Sequence, residues 1–300
     1  MVKHKEKEKD NQVNLIQCNP ATLKSTRTTC LPIDMLLRLR DKWNTLHPSH
    51  AIPTSSTTKE NLWIELRNRL KNQYNCETEY CAVQKLGVDG SEQYFRPKKP
   101  EEWKKKPTEW HDSVTLSSVM EQYETADPSF EFIGPTPIDF DSDVNGLGTC
   151  ILDELCNLNL TNMKSGGKRH IGIIFNLDKH DKPGSHWVCA YIDLVKMIAY
   201  YYDSYGIRPC PQITRLLRRC YDQGCDQIEW NDIRHQRKGS ECGTYCLYTI
   251  ISLMSKKSFY DICKNRVDDD TMNSTRDLLF ATENPSKKAI TDASPLFIVN

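Results

Sequence analysis

The sequence predicts an α/β (α+β) protein, a mixed sheet flanked by helices and preceded by a small helical N-terminal arm. Three observations predict it. The runs HIGIIFNL (170–177), HWVCAYID (186–193) and MIAYYYDS (197–204) are rich in β-branched and aromatic residues, as strands are. Between and around them, apolar residues recur at helical spacing. A Pro- and Lys-rich polar stretch, 91–108, separates two segments of different patterning.

Taken in order, residues 1–28 read as a disordered lead-in and 29–90 as a helical arm domain. In the arm, Asp34 is placed to cap a helix carrying Leu36, Leu39 and Trp43 on one face. After a loop over 45–58, Leu62, Trp63, Leu66 and Leu70 form a second stripe. The linker 91–108 holds three prolines and repeated lysines, which resist packing. The core domain, 109–282, opens with Asp112 capping a helix whose Leu116, Val119, Met120 and Tyr123 share a face. The three strands follow, then a basic helix near 211–221, a strand at QIEW (227–230) and a buried helix, CGTYCLYTIISLM (242–254). Residues 283–300 read as a C-terminal tail.

Composition excludes several classes. Lys+Arg 40 against Asp+Glu 40 leaves no net charge, which argues against a chain built to coat nucleic acid or an acidic membrane. No apolar run reaches the ~18 residues of a membrane span. The first ten residues, MVKHKEKEKD, lack the apolar stretch of a signal peptide. The 13 cysteines are an odd, scattered set, so a reduced compartment with mostly free thiols is expected. Cys18, Cys30, Cys76 and Cys81 lack the paired spacing of a zinc site, as do Cys220 and Cys225, so neither metal nor cofactor is expected. His170 and His180 read as solvated. Arg38, Arg40, Lys42, Arg67, Arg69 and Lys71 read chiefly as the polar side of two amphipathic helices, with nucleic acid a weaker alternative.

One constellation carries chemistry. A two-residue loop at Leu194-Val195 would pair positions summing to 389 across the hairpin, so that His186 faces Asp203 at hydrogen-bonding reach. That pair alone also fits an inert surface contact. The segment RHQRKGSECGTYC shifts the balance. Cys242 opens an apolar helix, whose N-terminal partial charge favours thiolate over thiol, and a nearby imidazole would favour it further. Gln236, six residues upstream, offers an amide donor that, with the Cys242 N–H, could cradle an oxyanion. Base, orienting carboxylate, nucleophile and oxyanion donor are then all present for acyl transfer.

The order H-W, D-S, Q-x5-C-G resembles the clan CE cysteine peptidases, which include the SUMO proteases and the adenovirus protease. The resemblance covers roughly 109–255. DIRHQRKGSECGTY, with DDDTMNSTRDLLF (268–280) behind it, is more closely similar to the core-processing cysteine proteases of African swine fever virus and related large DNA viruses. TCLP and CETEYC have loose counterparts there. The resemblance implies an adenovirus-protease-like fold, with His186 as general base, Asp203 as orienting residue, Gln236 as oxyanion donor and Cys242 as nucleophile. The swine-fever family carries an amide at the third position, and here the chain follows the wider clan. Trp187 follows the base, and Trp110 heads WHDSVTL, which resembles the W-L-x-D entry of SUMO proteases. In that family the matching indoles close over the substrate so that only Gly-Gly passes. The departure here is His111-Asp112-Ser113.

By resemblance, the chain is expected to be a cysteine endopeptidase cutting viral structural polyproteins after Gly-Gly during virion maturation. The implied setting is the host cytoplasm (virus factory) and the virion. Removal of a SUMO- or ubiquitin-like modifier by the same site is the alternative.

Overall fold

A computed structural model describes residues 14–25, 28–55, 58–143, 146 and 148–297, which fall into two units. One comprises the described parts of 1–101 with 274–292, the other those of 102–273 with 293–297.

The first unit is built on helices α1 (Pro20–Ser25), α2 (Ile33–Leu46), α3 (Lys59–Tyr74) and α4 (Glu79–Leu86). The two expected stripes are buried: Leu36, Leu39 and Trp43 meet Leu62, Trp63, Leu66 and Leu70 in one cluster. The α2 cap differs from expectation. Pro32 occupies the N-cap without a side-chain bond, and Asp34 sits in the first turn, where its charge still favours the helix dipole. Thr58 caps α3 by accepting the Asn61 N–H. The basic face is partly neutralised: Arg40, Arg67, Arg69 and Lys71 pair with three carboxylates, Asp41, Glu65 and the shared Glu77.

Three expectations need correction. Residues 1–13 of the proposed disordered lead-in lie outside the described residues, but 14–25 are packed. Buried Asn14 donates to buried Glu79, which also accepts the Cys30 and Leu31 amides, while burial pushes the Glu79 carboxyl up to about 7. The proposed linker is anchored by apolar residues among its lysines. Phe95 joins the first core, and Trp103 is buried in the second unit. Pro97 and Lys99 bracket Ala281 through two backbone hydrogen bonds. The proposed tail carries helix Lys287–Phe297.

The cysteines also divide differently. Cys18–Cys30, Cys76–Cys81 and Cys150–Cys156 are disulfides, and seven cysteines, Cys242 among them, are free. Cys220 and Cys225 are buried thiols, and burial pushes Cys220 up to about 12.

The second unit holds a five-stranded mixed sheet in the order β1-β2-β3-β4-β5, formed by Phe130–Pro137, His170–Asn176, Trp187–Asp193, Ile198–Tyr202 and Gln227–Trp230. The outer pairs are parallel and the inner pairs antiparallel. Strand β1 was not expected, because its FEFIGPTP sequence carries Gly134-Pro135 inside it. The register shifts between Ile133 and Thr136, and Gly134 takes φ +107, where a Cβ would stand 2.8 Å from the Ile174 carbonyl oxygen. All seven residues of β3 are buried, as a strand covered on both faces requires.

Helix α5 (Ser113–Ala126) starts at the expected Asp112, which forms a reciprocal capping box with Thr115. Two short helices, α6 (Asp153–Cys156) and α7 (Leu160–Ser165), precede β2. Helix α8 (Pro211–Asp222) puts Ile213, Leu216 and Leu217 into the core on one sheet face. Helix α9 (Cys242–Met254) buries every residue except Met254. Each large apolar side chain so removed from water contributes roughly 1.5–3 kcal/mol. That burial fixes the helix whose first residue is Cys242.

Candidate active site

The β3–β4 hairpin sets the first pair. The observed register joins Asp193 to Ile198 and Cys189 to Tyr202, two positions away from the expected pairing. Leu-Val lacks the positive-φ residues of a two-residue turn, and the chain uses 194–197 instead. The Asp193 carboxylate accepts the Val195 and Lys196 amides, each at 2.9 Å, and Met197 takes φ 55. A slip of two preserves the face on which every side chain lies. His186, one residue before β3, and Asp203, one after β4, therefore still meet. The His186 Nε2 to Asp203 Oδ1 distance is 2.7 Å. The Tyr205 ring stacks on the His186 imidazole at 4.6 Å and 20°. Asp203 is fully buried and also accepts the Tyr205 N–H at 2.8 Å, while Asn231 donates to its backbone carbonyl at 2.7 Å.

Cys242 is the first residue of α9 and only 1 % exposed. Its thiol lies near enough to His186 to favour the charged imidazole. Because Nε2 is held by Asp203, Nδ1 is the ring nitrogen left for the sulfur. Burial alone would lower the His186 pKa; Asp203 and Cys242 outweigh it and push it up to about 9. Gly243 follows from close packing. A Cβ there would stand 2.8 Å from His111 Cβ. His111 is buried and bonds Thr244 Oγ1 through Nε2 at 2.9 Å, so α9 starts against its imidazole.

Gln236 is fully buried on the loop before α9. Its amide is oriented from both ends. Ser204 donates to Oε1 at 2.6 Å, and Nε2 donates to the Lys238 carbonyl at 2.9 Å. The Gln236 backbone N–H donates to the Ser204 carbonyl, which places the loop beside the residue after Asp203. The structure thus pairs His186 with Asp203, sets Cys242 near the imidazole, and ties Gln236 to Ser204, the residue after Asp203.

Trp187 and Trp110 border one cleft of about 530 Å³, with Pro135, Asn176 and His180 also in its wall. Trp187 is 7 % exposed and donates its indole N–H to the His111 carbonyl at 2.9 Å, whereas Trp110 is 42 % exposed. His180, expected to be merely solvated, has Nδ1 2.8 Å from Asp139 Oδ2. His170 is half-buried against the Tyr191 ring.

Sequence reading assigned no task to Ser204, Tyr205 or His111. The Asp-Ser pair was visible, but a hydroxyl's partner 32 residues away is not written in local spacing. Among the described residues, no group of three or more His, Cys, Asp or Glu side chains is placed to hold a metal ion, and no helix is long and apolar enough to cross a membrane.

No protein-family profile matches the chain. A protein of Acanthamoeba polyphaga mimivirus that carries a thiol-protease name is 27% identical over 293 residues, covering 90% of this chain and 94% of that protein. The cysteine protease of African swine fever virus is 29% identical over 117 residues, 36% of this chain and 43% of that protein. Versions from other isolates of that virus, at 28% identity, carry the name SUMO-1 cysteine protease. The crystal structure of the swine-fever protease shares the fold, with a TM-score of 0.61 at 17% identity over 88% of this chain and 95% of that one.

Proposed function

We propose that this chain, a cysteine peptidase resembling clan CE, is an endopeptidase that cuts viral structural polyproteins after Gly-Gly during virion maturation. The observation that carries the chemistry is the His186 imidazole held by buried Asp203 at 2.7 Å through Nε2, with Cys242 near enough to favour its charged form. In this reading His186 takes the Cys242 proton, and the thiolate adds to the peptide carbonyl after the second glycine. The second Nε2–H of Gln236 and the Cys242 N–H stabilise the oxyanion. Imidazolium then protonates the departing amine as the C–N bond breaks and a thioester remains. Water, deprotonated by His186, releases the acid and restores the thiol.

The Gly-Gly preference is supported by Trp187, the residue after His186, sharing with Trp110 the wall of one cleft, which on this reading takes the residues ahead of the scissile bond. The thiol- and cysteine-protease names of the viral relatives support a protein substrate. Such a substrate would be met in the host cytoplasm, at virus factories, and inside the virion.

The test is incubation with a Gly-Gly-X peptide and with candidate capsid precursors, followed by N-terminal sequencing of the products. Cleavage should follow Gly-Gly and disappear in Cys242→Ala without loss of the folded melting transition. Retained hydrolysis in that variant refutes the nucleophile. The SUMO-1 protease name of some relatives favours a second reading, modifier removal, which predicts faster release from a SUMO–fluorophore conjugate than from the short peptide.

A further inference from the structure

A single buried carboxylate outside the four site residues ties together the two elements that would hold an oxyanion. Asp269 opens helix α10 (Asp269–Ser274) and is 4 % exposed. Its Oδ2 accepts the Arg237 N–H at 3.0 Å and the Lys238 N–H at 3.2 Å. Its Oδ1 lies 3.2 Å from the Tyr245 hydroxyl, which also donates to the Val267 carbonyl at 2.7 Å, and Tyr245 lies on α9, one turn beyond Cys242. Lys238, held at its N–H by Asp269, presents its carbonyl to Gln236 Nε2 at 2.9 Å. The path runs from the Asp269 carboxylate through two backbone amides to the Gln236 side chain, with the nucleophile's helix as the second anchor.

We propose that Asp269 is a positioning residue for the oxyanion cradle, fixing the 236–238 loop against helix α9 so that the Gln236 amide holds one orientation toward the sulfur. This rests on the peptidase reading above. Hydrogen bonds from neutral donors to a buried carboxylate are stronger than those to a neutral acceptor, and two adjacent backbone N–H groups on one oxygen fix the loop's direction. A bare structural ion pair does not explain the arrangement, since the nearest cation, Arg266, stands 3.8 Å away and the closer groups are the loop amides and the Tyr245 hydroxyl.

The effect is specific to acyl chemistry, so the test compares two reactions of one thiol. Peptide hydrolysis forms an oxyanion, whereas alkylation of Cys242 by iodoacetamide does not. Loss of an oxyanion donor costs about 10²–10³ in kcat, and a loosened one should cost about 10–100-fold in Asp269→Ala. KM and the iodoacetamide rate should both stay within about twofold of the parent, and Asp269→Asn, which keeps one acceptor oxygen, should recover part of the loss. Gln236→Ala combined with Asp269→Ala should be no slower than Gln236→Ala alone, because both act through one amide. Unchanged kcat overturns the proposal, as do multiplicative losses or an equal fall in alkylation. A parent chain that cleaves no peptide defeats the peptidase reading instead. The clamp is then read by amide exchange: Arg237 and Lys238 should exchange at least about tenfold faster in Asp269→Ala with α9 unaffected, and unchanged exchange overturns it.

Discussion

His186 carries the pH dependence of the site. Its pKa lies above the ordinary ~6.5, at about 9, despite burial, because Asp203 and Cys242 favour the charged ring. A raised folded value means this interaction stabilises the fold fully below the unfolded pKa of about 6.5, and its contribution is lost as pH rises through about 9. Hydrolysis that needs the imidazolium should therefore show an alkaline limb near pH 9 in kcat/KM. Asp203→Asn removes the charge while keeping an acceptor, so that limb should move down toward about 6.5; a limb that stays put contradicts the role of the carboxylate. Gly243 gives a second prediction. Adding a methyl group drives against His111 backbone-adjacent atoms at 2.8 Å, so Gly243→Ala should lower stability by about 1–3 kcal/mol in urea unfolding and slow hydrolysis. His186, Gln236 and Cys242 were legible as candidates because residue type and order along the chain already suggest their chemistry. Ser204, His111 and Asp269 were not, because each acts by a contact with a residue on another element.

At the scale of elements, side-chain periodicity was a sound guide where one face is buried and a poor one where geometry is irregular. The α3 stripe, the α5 cap and the whole of α9 could be read in advance, since each follows from spacing or a capping residue. Strand β1 could not, because Gly134-Pro135 breaks its alternation while its parallel pairing to β2 supplies the missing order. The hairpin shows which errors matter: a two-position slip left His186 and Asp203 together, whereas a one-position slip would have put them on opposite faces. The Asp112 cap lies two residues from Trp110 and beside His111, so it also sets the approach to the cleft. Asp112→Ala should cost about 1 kcal/mol, seen as a lower urea midpoint with unchanged slope. An unchanged midpoint would show that the cap contributes nothing.

Over the whole molecule, charge balance and segment composition were weaker guides than the motifs. The stretch read as a linker is dense in lysine, yet Phe95 and Trp103 bury into separate units, and two large aromatics outweigh several solvated ammonium groups. Six of the cysteines are paired, which no spacing in the sequence disclosed. The site's chemistry instead draws on residues spread over 186–242, gathered by one hairpin and one buried helix. The most direct test of that convergence is mass mapping of the thioether formed when a thiol adds to a Gly-Gly peptide ending in an α,β-unsaturated methyl ester. The label should appear on the peptide containing Cys242 alone and fall sharply in His186→Ala. Label spread evenly over the seven free cysteines, or undiminished without the imidazole, would contradict the account.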